Sequence, residues 1–115
     1  MRKTKTTRAV LVAISIPIFS TQLEKAREAT DAANIRSAYA EVVADSLSAK
    51  TTDTADITKT VQLKQQQDGW QNEPDFTGAL KEAMDNATGT PGKDGTCTIT
   101  YTPSTQAWSV AFAAA

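Results

Sequence analysis

The sequence predicts an α+β fold in which a long N-terminal helix packs on a small antiparallel sheet of three strands, with a short helix inserted after the first strand. Three observations predict it. Residues 9–49 are rich in alanine, leucine, glutamate, lysine and arginine and contain no glycine. Residues 96–102 and 107–112 alternate large and small or polar side chains with a two-residue period. Gly89, Pro91, Gly92 and Gly95 crowd into one turn-rich stretch just before the first of these runs. At 115 residues the chain has material for one domain with a single modest core.

The long helix should run from Ala9 to about Ala49, roughly 60 Å at 1.5 Å per residue. Pro17 removes a backbone donor and crowds the preceding turn, so a kink is expected over residues 13–17. Residues 9–19 are apolar except for Ser15 and Pro17, and Arg2, Lys3, Lys5 and Arg8 precede them, the layout of a membrane-targeting start. As helix the run is only about 16 Å, half the hydrocarbon thickness of a bilayer, so it does not span alone. A cleaved signal peptide would need a small-residue site and a break in helical character, whereas residues 21–47 continue the helix.

Past Phe19 the helix becomes amphipathic. Ile35, Tyr39, Val42, Val43 and Leu47 form one stripe suited to covering a sheet, and Leu23, Ala26, Ala33, Ala40 and Ala44 form a flatter one. Glu24, Lys25, Arg27, Glu28, Asp31 and Arg36 read as a solvated charged face, with Arg27 placed to meet Glu24 at i−3 and Asp31 at i+4. Exposed pairs of this kind contribute a few tenths of a kcal/mol each. The half of the helix before about Thr30 is left with no partner in its own chain, which implies a partner outside it.

Residues 48–60 lack an apolar period and read as a surface loop. Residues 60–66 then alternate, with Val61, Leu63 and Gln65 on the inward side of a half-buried strand, and Asp68-Gly69 supplies a turn. A short helix is expected over residues 72–87, capped by Asn72, tolerating Pro74 in its first turn, and burying Phe76, Leu80, Ala83 and Met84. In the two closing strands Cys97, Ile99 and Tyr101 share a face, as do Trp108, Val110 and Phe112, with a hairpin over residues 103–106. The domain plan is a basic segment at 1–8, a protruding half-helix at 9–29 and a globular part at 30–115. Within the last, the helix takes 30–49, the loop 48–60, and the sheet with its short helix 60–113.

Composition narrows the function. Twelve basic against thirteen acidic residues leave a net charge of −1, so no global field favours nucleic acid, and no nucleic-acid partner is expected. Histidine is absent, which removes the commonest metal ligand and the usual general base. No convergent carboxylate pair or nucleophile motif is present, so no catalytic residue, cofactor, metal site or small-molecule substrate is assigned. Asp45, Asp53, Asp56, Asp68, Asp75, Asp85 and Asp94 do not follow the spacing of a dedicated calcium loop. Cys97, the only cysteine, lies on an apolar strand face and acts there as a small hydrophobe. Trp70 and Tyr101 lack flanking basic residues and suit packing better than stacking on a ligand. Asn86-Ala87-Thr88 matches a glycosylation sequon, a pattern common by chance.

Two stretches carry a family resemblance: Ala-Val-Leu-Val-Ala-Ile-Ser-Ile-Pro-Ile-Phe at 9–19 and Gln-Leu-Glu-Lys-Ala-Arg-Glu-Ala-Thr-Asp-Ala-Ala-Asn-Ile-Arg at 22–36. Together they resemble the start of a type IV pilin or pseudopilin, over about the first forty residues; the remainder resembles that family in layout only. The resemblance implies a subunit of a surface filament, anchored in the membrane by its apolar half-helix before assembly and handled by a pilus assembly machinery. Val10, Leu11, Val12, Ile14, Ile16, Pro17, Ile18 and Phe19 would then pack in the filament core. Pairs among Glu24, Lys25, Arg27, Glu28, Asp31 and Arg36 would help fix register between neighbours. One departure matters: the family's Gly-Phe-Thr-Leu-Ile-Glu type peptidase site is missing, and residues 1–8 run directly into the later part of the apolar helix. No residue here is therefore given the role of the family's glutamate near the mature terminus. The alternatives are a minor pseudopilin of a type II secretion or competence apparatus, and a membrane-tethered binding module that does not polymerise.

Overall fold

The computed structural model describes residues 2–115, with side chains from Ser20 onward. Its elements are helix α1 (Arg2–Ser46), strand β1 (Ile57–Gln62), helix α2 (Gly78–Asp85) and strands β2 (Thr96–Thr102) and β3 (Ala107–Ala113). The expected architecture, a long helix over a three-stranded antiparallel sheet, is the one observed. The expected kink near Pro17 and the packing set from Val10 to Phe19 lie outside the residues whose side chains are described.

The sheet order is β1-β2-β3 with both pairs antiparallel. Its register stacks Val61 on Cys97 and Phe112, Lys59 on Ile99 and Val110, and Ile57 on Tyr101 and Trp108. The opposite face carries Thr58, Thr60, Thr98, Thr100, Ser109 and Ala111, side chains that tolerate water on a pleated surface. Both helices cover the larger-residue face, α1 over β1 and β2 and α2 against β3. The core joins Ala32, Ile35, Ala38 and Val42 of α1 to Leu63, Phe76, Leu80 and Ala83 and to Cys97, Ile99, Val110 and Phe112. Burying each large member stabilises the fold by roughly 1.5–3 kcal/mol. Tyr39 and Tyr101 meet Trp108 in tilted contacts at centroid distances of 4.8 and 4.9 Å, and Trp70 meets Phe112 edge-on at 6.3 Å. Trp70 and Tyr101 thus serve as packing.

Three expectations are corrected. β1 lies earlier than residues 60–66, because its partner β2 begins only at Thr96, opposite Gln62. Leu63 N–H makes one last bond to Gly95 O at 2.8 Å, and beyond it the chain leaves the sheet with Leu63 and Gln65 still buried. The short helix does not start at Asn72: Gly78 takes φ 63°, a left-handed conformation through which a helix begun at Asn72 could not continue. α2 starts there instead, after Thr77, and Phe76 reaches the core from the preceding loop. Leu47 is 83 % exposed because α1 ends at Ser46, and the sheet-facing stripe is completed by Ala32 and Ala38, whose small side chains let α1 approach closely. Residues of the flatter stripe, Leu23, Ala26, Ala33, Ala40 and Ala44, are exposed.

The hairpin falls on residues 103–106 as expected, with Gln106 at φ 57° closing it. At the outer edge of β3, Thr88 exchanges hydrogen bonds with Val110 and Phe112 at 3.0 and 2.8 Å, which satisfies part of an otherwise open edge. Gly89 follows at φ 75°, and a Cβ there would collide with Phe112 O.

Candidate functional site

The charged segment of α1 is where sequence and structure part most clearly. On a helix, positions 24, 28, 31, 35, 38 and 42 repeat at steps of four and three and share one face. All six are buried: Glu24 and Glu28 are 2 % exposed, Asp31 is 0 % exposed, and Ile35, Ala38 and Val42 continue the seam into the core. The seam is therefore acidic in its upper half and apolar in its lower half. The expected solvated face is corrected for these three acids.

Buried carboxylates need donors, because an isolated charge is expensive to remove from water. Here the donors are main-chain amides of residues 64–72. Lys64 and Gln65 N–H donate to Asp31 Oδ1 and Oδ2 at 2.6 and 2.9 Å. Gln66 N–H donates to both oxygens of Glu24 at 3.0 and 3.1 Å, and Gln67 N–H to Oε1 at 3.2 Å. Gln71 and Asn72 N–H donate to Glu28 Oε1 at 2.7 and 3.0 Å. Hydrogen bonds to an ionised acceptor are short and strong. The three acids thus form a ladder that holds one loop along the helix, and each rung satisfies amides that have no strand to join.

Two polar atoms in this layer have no hydrogen-bond partner, Glu28 Oε2 and Gln65 Oε1. Gln65 nevertheless ties the loop together, its Nε2 donating to Gln67 O at 2.9 Å and Gly69 O at 2.8 Å. On its far side the loop is tied to the glycine-rich stretch: Gly69 N–H reaches Pro91 O at 2.7 Å, and Gln66 Nε2 reaches Asp94 Oδ1 at 3.0 Å.

The basic members of the expected set behave differently. Arg27 meets Glu24 at 3.6 Å with its own side chain 40 % exposed, while its expected pair with Asp31 is replaced by the Lys64 and Gln65 amides. Arg36 donates to Asp75 O at 3.0 Å and lies over the Phe76 ring, 4.9 Å from its centroid. Lys25 is exposed. Arg27 and Arg36 thus make contacts within the chain, and Glu24, Glu28 and Asp31 hold the chain's own loop.

Sequence reasoning missed the ladder. Its signal was the continuous step pattern from 24 to 42, which puts the acids on the same face as Ile35 and Val42. A second signal was Gln65-Gln66-Gln67, a stretch with donors and acceptors but nothing apolar to bury.

A second concave feature lies on the α2 side. A cavity of about 250 Å³ is lined by Trp70, Phe76 and Met84, with Glu73, Asp75 and Asp85 among its polar residues. Lys81 also lines it and pairs with Asp85 at 2.9 Å. The Lys81 ammonium is held above its ordinary value by its hydrogen bond to Asp85 first, then by the charges of Asp85, Asp75 and Glu73. Cys97 is buried in the core, and desolvation pushes its thiol up to about 12, so it is a packing residue without nucleophilic character at neutral pH. Among the described residues no group of side chains is placed to hold a metal ion, and no helix is long and apolar enough to cross a membrane. No protein-family description, curated protein or solved structure matches the chain.

Proposed function

We propose that the chain is a structural subunit of a type IV pilus-like filament at the cell surface, assembling with copies of itself through the start of α1. The observation that supports this most is where the docked seam of α1 begins. Among the described side chains of α1, which begin at Ser20, the first buried one is Glu24, and roughly 33 Å of helix separates it from Arg2. Residues 9–19 of that stretch are the apolar run of the sequence. Apolar surface of this extent needs lipid or another protein, and close packing of branched and small side chains suits helix association.

In this reading the apolar run sits in the membrane before assembly, and an assembly machinery moves the subunit into a helical filament. The sheet domain then forms the outer surface. The acid ladder has a clear part: by fastening residues 64–72 to α1, it makes the globular domain and the lower helix one body that moves as a unit. Exposed Lys25 and the partly exposed Arg27 remain for contacts between neighbours, so assembly should weaken with salt.

The test is negative-stain microscopy of the protein expressed with a pilus assembly system. Thin filaments that vanish when Ile14 and Ile18 become aspartate support the filament role. Membrane-inserted monomer without filaments moves the assignment to a minor pseudopilin or a tethered binding module.

A further inference from the structure

The charges of this chain are sharply divided along its length. Four of the twelve basic residues stand within residues 2–8, where there is no acid, leaving eight against all thirteen acids in the rest, a net −5. The basic end carries Arg2, Lys3, Lys5 and Arg8. Opposite charge of that density on two parts of one chain steers copies toward each other.

The cavity beside α2 has the chemistry to receive a cationic side chain. Its apolar wall of Trp70, Phe76 and Met84 suits the aliphatic stem of lysine or arginine, and its volume of about 250 Å³ admits one such side chain. Glu73 and Asp75 offer carboxylates that are exposed and make no ion pair or side-chain hydrogen bond among the described residues. Lys81 pairs with Asp85 and also feels the charges of Asp75 and Glu73, so three carboxylates against one ammonium leave the cavity with a net negative charge.

Along α1, Arg8 stands roughly 24 Å before Glu24, whose carboxylate holds the loop that leads to Glu73. We propose that the basic end of α1 in one copy docks in the Trp70–Glu73–Asp75 cavity of a second copy, joining subunits head to tail. Such a contact uses two different surfaces, so every added copy leaves one of each open for a further copy unless the rotation closes a ring. This deepens the filament reading by naming a surface between neighbours.

The experiment is sedimentation velocity of the full chain at low and high salt, with charge-reversed variants. R2E/K3E/K5E/R8E and E73K/D75K should each weaken self-association by about tenfold or more, and raised salt should do the same to the parent chain. The milder E73Q/D75N should weaken it less, and unchanged thermal melting of all three variants confirms that the fold is kept. The decisive arm combines both reversals in one chain, which restores attraction with the signs exchanged and should restore association. Self-association indifferent to either reversal overturns the proposal. So does a monomer at every concentration whose basic end binds vesicles containing phosphatidylglycerol, because that assigns the basic end to lipid. Filaments that form regardless of these charges overturn this contact and leave the filament reading intact; charge-dependent chains of subunits that never become filaments do the reverse.

Discussion

Two loops of this molecule are polar in sequence and behave in opposite ways. Residues 47–56 follow α1 and are almost wholly exposed, with bonds that stay local: Lys50 N–H to Asp53 Oδ2 at 2.8 Å and Asp53 N–H to Lys50 O at 2.9 Å. Residues 63–77 leave β1 and contain Leu63, Gln65 and Phe76, all buried, with six main-chain amides bound to carboxylates of α1. Composition does not separate them, since both are rich in residues that favour loops. What differs is the helix surface each one meets. Next to the second loop α1 presents Glu24, Glu28 and Asp31 on its inward seam; beside the first it has already ended. The order of a loop can thus be written in the element that faces it.

The largest effect should come from removing the acceptor nearest the apolar core. Asp31→Ala leaves the Lys64 and Gln65 amides without their partner in a buried layer and should cost about 4 kcal/mol in urea unfolding. The result that would break the comparison is a loss no larger than for Asp53→Ala in the exposed loop, which should stay within about 0.5 kcal/mol.

Alkaline pH tests the core beneath the clamped loop, where Cys97 faces Val61 just before the chain leaves the sheet. The folded thiol value of about 12 lies above the ordinary 9.0, so the unfolded chain ionises first. Stability from this group is complete below 9.0 and should fall by about 1.4 kcal/mol per pH unit until the folded thiol itself ionises near 12. Cys97→Ala should flatten that slope, and an unchanged slope in the variant would contradict burial of the thiol.

Glu28→Gln should cost about 1 kcal/mol or less. It keeps an acceptor for the Gln71 and Asn72 amides and replaces Oε2, an oxygen without a donor, by a neutral group. Smallest of all, Leu47→Ser at the end of α1 should change stability by less than about 0.5 kcal/mol, as the residue is 83 % exposed.

Much of the architecture was legible in sequence because its signals are periodic. The closing hairpin was readable from the alternation of Cys97, Ile99 and Tyr101 with threonines, and α1 from a glycine-free run of strong helix formers. The boundaries of β1 were not, because an edge strand that is exposed on one side carries Thr58, Lys59 and Thr60 in place of a clean apolar alternation. The start of α2 was misplaced because nothing local forbids a helix from Asn72 until Gly78 adopts a positive φ. The ladder was hidden for a different reason. Acids on a helix are ordinarily solvated, and their burial depends on amides supplied some forty residues later in the chain, as the pair Glu24 and Gln66 illustrates.

The most direct test of the account is native-state hydrogen exchange of the main-chain amides of Lys64, Gln65, Gln66, Gln67, Gln71 and Asn72. None of these groups belongs to a helix or strand, so their protection can come only from the carboxylates of Glu24, Glu28 and Asp31. The account predicts slow exchange at all six, lost at Lys64 and Gln65 first in Asp31→Asn. Exchange as fast as that of the exposed residues 51–56 would contradict it.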